Sequence, residues 1–156
     1  MTDRDLLKAV ADAVAELPDR DGGTAIVLAA GGSPPAFALL SSGDVLLRDD
    51  VVRLGIHATS SAVARVSESF SLLVPLGVRA ARLEVGDVTV ARGEHLALVA
   101  GRVTEVRPTA EPPWTLEMSF RAEPPDDERI DGYVEYWQGV RSWLAGTGPE
   151  PSLPFT

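Results

Sequence analysis

Short apolar runs separated by turn residues occupy the chain from Thr24 to Ala122, and this spacing most limits the folds open to it. "TAIVLAA" (24–30) reads as a buried strand, "GGSP" turns the chain, and "PAFALLSS" (35–42) reads as a second strand. After the turn "SSGD", "VLLRDDVVRLGIHA" (45–58) reads as a broken or bulged strand pair. "FSLLVPL", "VRAARLEV" and "VTVA" are each compatible with a strand, and "EHLALVAGRVTEVRP" is a long one. Its central Gly101 marks a bend or a close backbone approach. "WTLEMSFRA" (114–122) alternates apolar and polar residues at period two.

Helical periodicity is strongest near the two ends. Leu6, Leu7, Val10, Val14 and Leu17 form one apolar stripe, with Thr2 and Asp5 as a capping pair and Pro18 as the stop. Ile130, Tyr133, Val134, Trp137, Val140 and Leu144 form another, with acidic residues 126–128 at its start and Gly146 at its end. A set of short strands flanked by helices predicts a mainly β fold, a small antiparallel barrel rather than a doubly wound sheet. Residues 1–146 are expected to form the single domain and 147–156 an irregular Pro-rich tail.

Composition narrows function by exclusion. A formal charge of −9 repels phosphate backbones and anionic lipid, so neither nucleic acid nor a membrane surface is an expected partner. The absence of cysteine removes disulfides, thiol catalysis and thiolate metal sites. Two scattered histidines make no metal-ligand spacing, so no metal is expected. There is no apolar run long enough to span a bilayer and no signal-peptide layout at the N-terminus, so the expected location is cytoplasmic.

The stretch "LGIHATSSAVARV" (54–66) changes character in its middle, where a strand runs into three hydroxyl residues and a short amphipathic helix. Strand alternation puts Val52, Leu54 and Ile56 on one face and Arg53, Gly55, His57 and Thr59 on the other. Thr59, Ser60 and Ser61 then fall at the helix start. Two readings fit. Ser and Thr are preferred helix N-caps for purely structural reasons. The same hydroxyls, the unpaired N–H groups of a helix start and a nearby arginine also suit a phosphate, with Gly55 allowing close approach.

Taken in order, "AIVLAAGGSPPAFALLSSGDVLL", "RLGIHATSSAVARV", "FSLLVPLGVRAARLEV" and the aromatic "YVEYWQGVRSWLAG" resemble the pyridoxamine 5′-phosphate oxidase-like FMN-binding proteins, closest to small bacterial members ending on a Trp-containing helix. The resemblance implies a six-stranded antiparallel split β-barrel and a homodimer with FMN sites at the subunit interface. It implies FMN as cofactor, its phosphate received by Arg53, His57, Thr59, Ser60 and Ser61, and an oxidoreductase acting on a small molecule. It does not assign catalytic residues. The Arg-Leu-x-Pro-type motif by which the true oxidases engage substrate has no counterpart in "EPSLPFT". A flavin-free split-barrel homodimer with a binding or structural role is the alternative.

Overall fold

The first helix, α1 (Asp3–Glu16), starts where its capping pair lies. The Asp5 backbone N–H donates to Thr2 Oγ1 at 3.2 Å, and the Thr2 hydroxyl and N–H donate to Asp5 Oδ2 at 2.8 and 3.1 Å. This reciprocal box satisfies donors that helix geometry leaves open. The Thr2 hydroxyl bond, then its N–H bond, hold the Asp5 carboxyl below the usual aspartate range. Leu6, Val10 and Val14 face the core at helical spacing.

A computed structural model describes residues 2–16, 26–31, 36–40, 42–76, 79–109, 135 and 138–151. The strands are β1 (Ile26–Ala30), β2 (Ala36–Leu40), β3 (Val45–Arg48), β4 (Val51–His57), β5 (Ser69–Leu76), β6 (Arg79–Arg92) and β7 (Leu96–Thr109). A 3-10 turn (Ser42–Asp44) precedes β3, and a one-turn helix, α2 (Ser61–Arg65), follows β4. The expected strand 114–122, and Tyr133, Tyr136 and Trp137 of the expected last helix, lie outside the described residues. Residues 138–144 are helical.

All strands belong to one curled antiparallel sheet in the order β2-β1-β5-β6-β7-β4-β3. This is a split β-barrel with seven strands where six were expected. The strand pair expected in "VLLRDDVVRLGIHA" is present as a hairpin, β3–β4, because Asp49 adopts a left-handed conformation (φ 57°) and reverses the chain. Conversely, the two expected strands "VRAARLEV" and "VTVA" are one 14-residue strand, β6, interrupted by irregular register between Glu84 and Thr89. β6 and β7 are long enough that their hairpin pairs with β5 on one side and β4 on the other.

The main core lies inside the curl, formed by Leu28, Leu54, Leu72, Leu83, Val85 and Val99 with α1 and α2 packed over it. Gly101, in β7, is required there. A Cβ at that position would stand 2.5 Å from Val85 Cγ1 and 3.0 Å from the Gly86 carbonyl oxygen. Gly101→Ala is therefore expected to destabilise the protein by about 1–3 kcal/mol through overpacking, read by denaturant unfolding. An unchanged midpoint would show that β6 moves aside at no cost.

Candidate functional site

β4 carries the candidate residues, and its alternation is as the sequence requires. Val52, Leu54 and Ile56 are buried in the core, while Arg53 and His57 are exposed. Gly55 shares the outer face yet is buried, because the 138–144 helix lies across it. A Cβ there would be 3.3 Å from Val140 Cγ1 and 3.7 Å from the Trp143 ring. The expectation that Gly55 lets a ligand approach is thus corrected: its missing side chain admits a helix of the same chain. Leu96, Val140 and Leu144 make a second small core here, with Leu46, Leu98 and Trp143 against it.

The five predicted residues divide into two places. Arg53 Nη1 donates to the Leu144 carbonyl at 3.3 Å, so it caps the C-terminal helix. It also lines a 220 Å³ hollow with Leu46, Arg48, Asp49, Val51 and Ala145, at the β3–β4 hairpin. His57 lies at the other end of β4, about 13 Å away at the usual rise per strand residue. There His57, Thr59 and Ser61 are exposed and Ser60 is half-buried. The structure therefore brings together His57, Thr59, Ser60 and Ser61, and places Arg53 apart from them.

Within that group the hydroxyls differ. Ser60 is the N-cap of α2, with extended backbone (φ −64°, ψ 135°) and its Oγ accepting from the Ala62 N–H at 3.3 Å. The side chains of Thr59 and Ser61 make no hydrogen bond among the described residues. The junction itself is fixed by backbone bonds: Ser60 N–H to the His57 carbonyl (2.9 Å) and Ala58 N–H to the His95 carbonyl (2.8 Å).

The arginines of the outer sheet face beyond this site are neutralised locally. Glu84 accepts from Arg107 Nη2 at 2.9 Å and from the buried Ser71 hydroxyl at 2.7 Å, and Arg82 Nη2 donates to Ser71 Oγ at 3.0 Å. Arg82 Nε is 2.8 Å from Glu84 Oε1, an ion-pair distance without hydrogen-bond alignment, so that N–H is left unsatisfied. Glu105 adds a second carboxylate 3.3 Å from Arg107 Nε.

One contact next to the junction has no sequence signature. Glu150, in the expected irregular tail, reaches back to the β6–β7 turn. Its Oε1 accepts from the His95 N–H (2.7 Å) and the Leu96 N–H (2.9 Å), and its Oε2 from the Glu94 N–H (3.2 Å). The chain gets there through a Schellman turn: Gly146 is left-handed (φ 76°), its N–H donates to the Trp143 carbonyl, and the Thr147 N–H donates to Ser142. Gly146 is thus the helix stop the sequence indicated.

Desolvation raises the Glu150 pKa, but the three N–H bonds, with a smaller contribution from His95, bring it below the ordinary glutamate value. A lowered folded value means that this contact stabilises fully above the unfolded pKa and is lost as pH falls through the folded one. The stability difference between the wild type and Glu150→Gln is accordingly expected to hold steady above about pH 5 and to shrink in more acid solution. Thermal melts of both proteins across that range check it; a gap that widened in acid would contradict the assignment.

The fold is that of a split β-barrel. No family model matches the sequence, and no curated protein matches it. The chain aligns with an FMN-binding protein from Syntrophomonas wolfei subsp. wolfei at a TM-score of 0.52 and 10% identity, over 68% of this chain and 87% of that one. A protein from Listeria innocua provisionally assigned as a pyridoxamine 5′-phosphate oxidase aligns at a TM-score of 0.49 and 8% identity, over 68% of this chain and 99% of that one. Likeness at such identity defines architecture, not chemistry. Among the described residues, no helix is long and apolar enough to cross a membrane.

Proposed function

We propose that this protein binds FMN and receives its phosphate at the junction of β4 and α2, through His57, Thr59 and Ser61. The carrying observation is the pair of exposed hydroxyls at Thr59 and Ser61, which have no hydrogen-bond partner among the described residues. They stand on an architecture shared with an FMN-binding protein.

The donor set fits an oxyanion. Both hydroxyls can donate to phosphate oxygens, and His57 adds a donor that is charged when protonated. The dipole of α2 contributes little, since the helix has only five residues. Ser60 is committed to its cap and Arg53 to Leu144, so neither is assigned to the phosphate here.

A bound flavin supplies hydride or electron transfer, and the protein's part is to hold and orient it. The finer reading is an FMN-dependent oxidoreductase acting on a small substrate, working as a homodimer with the flavin sites between subunits. Light scattering on the purified protein tests the dimer.

Titration of the protein into FMN, followed by quenching of flavin fluorescence, tests the binding, with riboflavin as the control. Saturable FMN binding with at least tenfold weaker riboflavin binding supports a phosphate-reading site. Binding of neither would leave the second reading, a flavin-free split barrel. That reading is favoured by one observation, the capping role of Ser60.

A further inference from the structure

The β6–β7 turn is built as an anion cradle, tied into the sheet by backbone bonds of its own. The Gly93 N–H donates to the Leu96 carbonyl at 2.8 Å and closes the turn, while the His95 carbonyl is pinned by the Ala58 N–H at 2.8 Å. With both ends tied to the sheet, the next three backbone N–H groups, of Glu94, His95 and Leu96, converge on one carboxylate. Gly93 provides the opening: a Cβ on that residue would overlap the Glu150 carboxylate. Successive backbone N–H groups converging in this way form a concave site for an anion, pre-organised by the chain around it.

The occupant is attached quite differently. Glu150 lies beyond the Schellman turn in residues without regular structure, and its carboxylate is what bonds that tail to the β6–β7 turn. The cradle is therefore held by the sheet, whereas its ligand arrives on a tail. Planar geometry also matches: one oxygen takes two N–H bonds and the other takes the third, as a two-oxygen carboxylate allows. The surrounding charge is modest, with His95 and Glu94 paired at 3.8 Å. Recognition here rests mainly on the backbone.

We propose that residues 93–96 form a carboxylate-binding site for which Glu150 is the resident ligand in cis, so that a small carboxylate-bearing molecule and the C-terminal tail exclude one another. The site adjoins the β4–α2 junction through the Ala58–His95 bond but does not depend on flavin binding there. Displacement of the tail by such a ligand frees the segment that follows the helix covering Gly55.

The test is chemical rescue. Acetate is titrated into 15N-labelled wild type, Glu150→Ala and the double variant Glu150→Ala/Gly93→Ala, with chloride at matched ionic strength as the control. In Glu150→Ala the amide signals of residues 94, 95 and 96 are expected to shift saturably with acetate, at least tenfold more tightly than in the wild type. The added methyl of the double variant is expected to abolish the response. Glu150→Gln, isosteric with the native residue, stands in if Glu150→Ala does not fold, and its response should also exceed that of the wild type. Amides that stay still in the Glu150 variants, or that move equally in all proteins or with chloride, would overturn the proposal and leave Glu150 as a structural anchor.

Discussion

Truncation of Leu54 to Ala is expected to cost about 2–5 kcal/mol of stability, the range for deleting a buried leucine from a core that cannot fully collapse. Leu54 has no solvent exposure, pairs with Val45 on β3 and Val99 on β7, and belongs to the main core. For a chain of this size the loss corresponds to a melting temperature lower by roughly 5–20 °C. The same substitution at Arg53, one residue earlier on the opposite face, removes a single 3.3 Å bond from an exposed side chain to the Leu144 carbonyl and should cost no more than about 1.5 kcal/mol. Denaturant unfolding of both variants measures the difference. Equal losses would mean that β4 does not divide into a core face and an outer face.

Replacing Thr59 and Ser61 together by Ala is expected to weaken FMN binding by at least about tenfold, or some 1.4 kcal/mol, while riboflavin binding and the melting temperature stay where they were. Ser60→Ala should do the reverse: a stability loss of about 0.5–2 kcal/mol for the lost cap, with little effect on the flavin. This separation turns the two readings of one hydroxyl cluster into an experiment. The structure gives the cap to Ser60 alone and leaves the flanking pair without a structural duty among the described residues. If Thr59 and Ser61 could be removed without changing the ratio of FMN to riboflavin affinity, the phosphate assignment would be lost.

Much of the fold was legible because it rests on short-range rules. The alternation of Val52, Leu54 and Ile56 against Arg53 and His57 identified the core face of β4, and the burial pattern agrees. Thr2 and Asp5 identified the start of α1, and Gly146 the end of the last helix. The strand count was less legible. Whether "RDD" bends a strand or reverses it depends on the left-handed backbone of Asp49, which many aspartates in extended chain do not adopt. Likewise, Gly86 and Asp87 look like a break between strands, whereas the partner strand β7 carries the pairing across as an irregularity of register.

The site was legible only in part. The cluster His57 to Ser61 is contiguous in sequence, so its members had to lie close together. Arg53 was drawn into the same set because it shares a face with His57, but a shared strand face extends over the whole length of β4. Which end a side chain serves depends on its neighbours, and for Arg53 the neighbour is 91 residues away.

The sequence by itself determined that this is a mainly β chain with capped helices near its ends, which face of β4 enters the core, and where a hydroxyl-rich junction falls. Those properties follow from periodicity and from contacts within a few residues. Only the tertiary structure decided that a helix occupies the space above Gly55, that Arg53 caps it, and that Glu150 fills a cradle of N–H groups some 55 residues earlier. The reason is physical. Every residue except proline carries the same backbone N–H, so three of them converging on a carboxylate leave no mark in the order of side chains.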